Sequence, residues 1–62
     1  ASIAEEWIAR AIEFPEARAV QRDGRIRIWG RVPEAGGRWL RVVLLDDGET
    51  VDNAFFDRRF SP

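Results

Sequence analysis

The run ARAVQRDGRIRIWGRV (residues 17–32) and the run RWLRVVLLDDGETVDNAFFDRRF (residues 38–60) decide the fold. In both, apolar and polar side chains alternate with a period of two, and each run is broken by an Asp-Gly pair, Asp23-Gly24 and Asp47-Gly48. Asp and Gly tolerate the positive φ of a type I′ turn, so an Asp-Gly pair between extended segments predicts a β-hairpin. The strands are expected near residues 17–22, 25–32, 38–45 and 50–59, with residues 33–37 as a longer turn between the hairpins. With Asp47-Gly48 as a two-residue turn, counting back pairs Leu44 with Val51, Val42 with Asn53 and Leu40 with Phe55 on one face. The other face then carries Trp39 against Phe56, Arg41 against Ala54 and Val43 against Asp52.

Upstream the period changes to 3.6. Ile3, Trp7 and Ala11, with Ala4, Ile8 and Ile12, form an apolar stripe, while Glu6, Arg10 and Glu13 fall on the opposite side. Ser2 and Glu5 have capping-box spacing, so a helix is expected to start at Ile3, with Glu6 and Arg10 as an i,i+4 pair. Pro15 disfavours helical geometry at Phe14 and ends the helix near Glu13. The expected fold class is α+β: one N-terminal helix on a four-stranded antiparallel meander, in a single domain over residues 1–62. Ile26, Ile28, Val32, Leu40, Val42 and Phe55 should face the helix. Arg25, Arg27, Trp29 and Arg31 should face away, next to Trp39 and Arg41.

Composition narrows the chemistry. At 62 residues with 45% hydrophobic and 34% charged content, the chain reads as a small folded domain of modest stability. It has no Cys and no His, which removes disulfides, thiolate metal sites, the commonest metal ligand and the commonest general base. No stretch nears a membrane span of about 20 apolar residues and no leader pattern precedes the helix, so a soluble, cytoplasmic chain is expected. No metal or organic cofactor is implied. The net charge is −1, yet all ten basic residues are Arg, and Arg25, Arg27, Arg31, Arg38 and Arg41 fall within 17 positions holding one acid, Glu34. Arg is a planar cation suited to phosphate, carboxylate or an aromatic face.

The segments Glu5-Glu6-Trp7-Ile8, Phe14-Pro15, Asp23-Gly24-Arg25-Ile26-Arg27, Trp29-Gly30, Trp39-Leu40-Arg41-Val42-Val43 and Phe55-Phe56-Asp57-Arg58-Arg59-Phe60 resemble small prokaryotic domains grouped near the BrnT-like and RelE-like toxins. The resemblance covers almost the whole chain. It implies a RelE-like fold, a curved antiparallel sheet flanked by helices, and relatives that are often ribonucleases of toxin–antitoxin modules silenced by a partner protein. Such relatives usually begin with one more helix, before the segment matching residues 2–13, and often carry His where this chain has Asp52. Without His, cleavage of the His-dependent kind is excluded and an Arg-based mechanism is what the resemblance leaves.

Two functional readings follow. In the first the chain is an interaction module, a homodimer or the partner of an antitoxin protein, because one helix covers one face of the sheet and leaves Trp29, Trp39, Val43 and Phe56 bare on the other. In the second it is a toxin-type ribonuclease that holds RNA with Arg27, Arg31, Arg41 and Arg58, the aromatics stacking bases. Arg58, Arg59 and Asp57 could clamp a phosphate; alternatively Asp57 pairs with Arg38 across the second hairpin. Asp46, Asp47, Glu49 and Asp52 read as a solvated loop more readily than as a cation site.

Overall fold

The computed structural model of the protein describes residues 3–61. Helix α1 (Glu5–Glu13) precedes strands β1 (Ala17–Val20), β2 (Ile26–Val32), β3 (Arg38–Leu44) and β4 (Val51–Phe56), with a 3-10 turn at Pro33–Ala35. The strands pair antiparallel in chain order, β1-β2-β3-β4, so the protein is the one-helix α+β meander that the two periodicities predict. The helix begins at Glu5, two residues later than expected, with Ala4 extended at the N-cap position and no side chain capping it. Ser2, on which the expected capping box depends, lies outside the described residues. Glu5 and Glu6 in the first turn complement the positive end of the helix dipole. The helix stops at Glu13, one residue before Phe14-Pro15, as the proline requires.

Both Asp-Gly turns form, each in a longer version than the two-residue one. In the first hairpin the Gly24 amide donates to the Gln21 carbonyl at 3.0 Å and the Gln21 amide to the Arg25 carbonyl at 2.7 Å. Three residues therefore make the loop, and Gly24 takes its left-handed position at φ 93°. β1 consequently ends at Val20, which pairs with Ile26. In the second hairpin the Gly48 amide donates to the Leu45 carbonyl at 2.9 Å, and the Leu45 amide to the Thr50 carbonyl at 2.8 Å. Asp47 braces this loop by accepting from the Glu49 and Thr50 amides and the Thr50 hydroxyl at 2.8, 2.9 and 2.6 Å. Those bonds hold its carboxyl below the usual range, the Thr50 hydroxyl contributing most.

The register of the last strand differs from the count made on sequence. Leu44 pairs with Val51 as expected, but the ladder then shifts, and Val43 faces Asn53, Val42 faces Ala54, Arg41 faces Phe55 and Leu40 faces Phe56. Asp52 is the extra residue of a β-bulge, and one extra residue exchanges the faces of everything beyond it. Ala54 and Phe56 therefore pack with the helix-side core, and Phe56 meets Trp7 with ring centroids 6.3 Å apart. Phe55, expected in that core, lies on the other face and is 41% exposed.

The core is Ala11, Ile26, Ile28, Val32, Leu40, Val42 and Leu44, with Ile3, Trp7, Ile8 and Ile12 of the helix segment packed on it. Gly30 lets the helix approach: a Cβ there would lie 2.9 Å from the Ala11 Cβ. Arg10 does not pair with Glu6. Its guanidinium instead grips Glu34 of the 3-10 turn through two bonds of 2.8 and 3.1 Å, tying the helix to the β2–β3 connection. No helix among the described residues is long and apolar enough to cross a membrane.

Candidate functional site

The face of the sheet opposite α1 gathers most of the residues singled out on sequence. β2 and β3 pair Arg27 with Val43, Trp29 with Arg41 and Arg31 with Trp39, and β1 adds the small side chains Ala17 and Ala19 opposite Trp29 and Arg27. Arg27, Arg31, Arg41, Trp29, Trp39 and Val43 thus share one face, as alternation requires. Phe56 does not join them, because the Asp52 bulge turns it toward the helix. Arg58 follows β4 in a turn, exposed, and lines a lateral cleft of about 230 Å³ with Arg38, Trp39, Phe56 and Asp57.

The apolar centre of this face is covered by the chain itself. Residues 57–60 fold back over it as a strap: the Asp57 amide donates to the Trp39 carbonyl at 2.8 Å, continuing the ladder one step past β4. The Phe60 ring stacks on Trp29 with centroids 4.6 Å apart and planes 15° from parallel, and meets Trp39 edge-on at 4.9 Å. Trp29 under the Phe60 ring is 8% exposed, and Val43 on the same face is 4% exposed. The expectation that Trp29 and Val43 lie bare for a partner is corrected by their burial, which for Trp29 the Phe60 ring supplies. A carboxylate-centred knot secures the strap. Asp57 Oδ2 accepts from Trp29 Nε1 at 3.2 Å and from Arg41 Nη1 at 3.5 Å, and Oδ1 accepts from the Arg59 amide at 3.0 Å. The ion partner of Asp57 is Arg41 rather than Arg38, because the shifted register places Asp57 beside Trp39. Arg38 instead lies over the Phe56 ring at 4.0 Å and donates to the Ala35 carbonyl.

The arginines differ in commitment. Arg41 lies 4.7 Å over Phe55 and pairs with Asp57, while its Nε is buried with no hydrogen-bond partner. Arg31 donates to the Gly37 carbonyl at 3.2 Å and sits 6.0 Å from the Trp39 ring centre. Gln21, with its amide turned to donate to Asp23, accepts from Arg27 Nε at 2.6 Å. Among the described residues neither Arg27 nor Arg31 forms an ion pair, whereas Arg25 meets Asp23 and Asp52 at 3.8 and 3.6 Å. The face therefore presents two cations without a carboxylate partner beside the half-buried Trp39 and the exposed Phe55.

The shifted carboxyls all move downward. The Trp29 indole, followed by the Arg59 amide and the Arg41 charge, holds Asp57 below the usual carboxylate range against the opposing effect of burial, and the Arg10 fork does the same for Glu34. These acids stay ionised near neutrality and act as acceptors. Because the folded pKa of Asp57 is depressed, its stabilising contribution is complete above the unfolded value of about 3.9 and is lost as the pH falls through the folded value. The difference in unfolding free energy between wild type and Asp57→Asn should be constant from neutrality to about pH 5 and shrink below about pH 4. An acid titration in which that difference stays flat would refute the role given to this carboxylate.

Phe60 is the residue that reading by strands missed. Its signal is weak but present: an aromatic directly after the charged pair Arg58-Arg59, three positions beyond Asp57. Among the described residues no three His, Cys, Asp or Glu side chains are grouped to hold a metal ion. Comparison of the chain with models of known families, with curated proteins and with solved structures finds no match.

Proposed function

We propose that the chain is a small binding module of the RelE/BrnT-like kind whose far sheet face receives single-stranded RNA in a cytoplasmic setting. The observation that carries this reading is the placement of Arg27 and Arg31, without ion-pair partners, on the same face as the half-buried Trp39 and the exposed Phe55. Phosphates are met by arginine, and bases by aromatic rings that stack any sequence. If the bound strand is also cleaved, as the resemblance to toxin ribonucleases implies, the available chemistry is charge stabilisation by Arg27, Arg31, Arg41 and Arg58.

The reading is tested with fluorescein-labelled hexauridylate followed by anisotropy at low salt. Wild type should bind, and Arg27→Ala with Arg31→Ala should weaken binding by about tenfold or more while lowering the salt slope by about 0.7 for each arginine removed. Absence of binding, or a double variant with unchanged affinity and slope, rejects it. A second reading, a homodimer or an antitoxin contact through the same face, draws on Phe55, which is 41% exposed on the outer strand β4. Sedimentation equilibrium of wild type against Phe55→Ser distinguishes it: self-association that this substitution abolishes favours a second copy.

A further inference from the structure

We propose that the strap of Asp57 and Phe60 fills, in cis, a nucleotide-sized site on the far face, and that a single-stranded RNA nucleotide displaces it. The base takes the place of the Phe60 ring on Trp29, and the phosphate that of the Asp57 carboxylate at Arg41. This rests on the RNA-binding reading and names where on the face a nucleotide is held and what guards it.

Three observations carry the inference. First, Phe60 and Asp57 together present what a nucleotide presents, a flat ring and an anion a short distance apart. The ring lies nearly parallel to Trp29 at 4.6 Å with Trp39 edge-on beside it, which is the geometry by which a nucleobase stacks. Second, the anion position is under-used. Arg41 reaches Asp57 through Nη1 alone at 3.5 Å, and its Nε is buried without a partner. A phosphodiester, whose two non-bridging oxygens share one negative charge, can engage Nη1 and Nη2 of the guanidinium end-on where Asp57 engages Nη1 alone. Trp29 Nε1, which donates to Asp57 at 3.2 Å, can donate to either anion. Third, the strap lies beyond the last strand pair, Leu40 with Phe56, and Arg58 and Arg59 between its two contact residues are exposed. Lifting it opens the site without breaking the pairing of β4.

A site occupied by its own strap binds an outside ligand more weakly by the fraction of time it is open. Weakening the strap should therefore tighten RNA binding, the reverse of what loss of a contact residue does. With the same labelled hexauridylate, Asp57→Asn together with Phe60→Ala should bind about tenfold tighter than wild type, and Asp57→Asn alone a smaller factor tighter. Asp46→Asn, which removes an equal charge from the distant hairpin loop, corrects for net charge and should change affinity by less than about twofold. Near-UV circular dichroism shows which variants keep the fold; Asp57→Asn, which retains an acceptor for Trp29 Nε1, keeps the test valid if the double variant does not. In wild type carrying fluorinated phenylalanine, the Phe60 resonance should shift on addition of RNA. Folded variants that bind no tighter than the Asp46→Asn control, or a Phe60 resonance that RNA leaves in place, overturn the inference. If wild type binds through Arg27 and Arg31 while those results are negative, the displaced strap is rejected and the RNA reading stands. If neither wild type nor the opened variants bind RNA, both are rejected.

Discussion

Leu40→Ala is expected to lower the unfolding free energy at 25 °C by about 3–5 kcal/mol. Leu40 is fully buried at the centre of the sheet, between Gly30 and Phe56 on its two neighbours, in the core beneath α1. Truncating a buried Leu to Ala costs about 2–5 kcal/mol, the upper part of the range applying where the surroundings cannot collapse. Here collapse is resisted on both sides, because Leu40 lies on an interior strand whose two neighbours are held by ladder hydrogen bonds. A chain of this length has a total stability of roughly 3–9 kcal/mol, at about 0.05–0.15 kcal/mol per residue, so one such cavity removes a third of it or more. Urea unfolding followed by tryptophan fluorescence checks this directly, since Trp29 and Trp39 lose their stack with Phe60 on unfolding. Val20→Ala, at a side chain 61% exposed, is the matched control and should stay within about 0.5 kcal/mol of wild type. A Leu40→Ala curve that overlays the Val20→Ala curve would show that the core is not where the buried residues put it.

The second large effect is at Gly30. Its built Cβ lies 2.9 Å from the Ala11 Cβ and 3.2 Å from the Ala11 Cα, so Gly30→Ala cannot be absorbed by a side-chain rotation; α1 itself must lift. Overpacking of this kind costs about 1–3 kcal/mol, against a gain of about 0.4–1 kcal/mol from the stiffer unfolded chain. Gly30→Val, with two more methyl groups aimed at the helix, should be worse and approach the loss at Leu40. The cause is separable from any general dislike of strand substitutions. Ala11→Gly removes the nearest atom of the clash at a cost of about 1 kcal/mol for glycine in a helix. The double variant Gly30→Ala with Ala11→Gly should then be more stable than the sum of the two single losses, with a coupling of about 0.5–2 kcal/mol. Strict additivity would mean that helix and strand do not touch at this point.

Much of the architecture is legible in the sequence. A period of 3.6 up to Glu13 and a period of two after Glu16, punctuated by Pro15 and two Asp-Gly pairs, specify one helix and four antiparallel strands because side-chain direction follows backbone geometry. The same alternation correctly brings Arg27, Arg31, Arg41, Trp29 and Trp39 to one face. It failed beyond Val51. The extra residue at Asp52 leaves no mark in local composition, since a bulge is a property of two paired strands and not of either alone. From that residue onward strict alternation assigns the opposite face: it puts Phe56 on the partner face, whereas Phe56 lies in the core, it puts Phe55 in the core, whereas Phe55 lies outside, and it pairs Asp57 with Arg38, whereas Asp57 meets Arg41.

The character of the far face turned on contacts between residues distant in sequence. Asp57 and Phe60 meet Trp29 across 28 and 31 positions and Phe60 meets Trp39 across 21, and whether such groups touch depends on where the sheet brings them. On sequence the face was apolar and bare, fit for a second copy; in the folded molecule the strap covers its centre and leaves Arg27 and Arg31 uncovered beside it. Element type, chain order and the set of arginines sharing a face were thus determined by the sequence alone, because periodicity is local and survives without knowledge of partners. Register after the bulge, the closing of the face by Phe60 and the single contact of Arg41 with Asp57 were decided only by tertiary structure, because each depends on which of several energetically similar pairings the packed core permits.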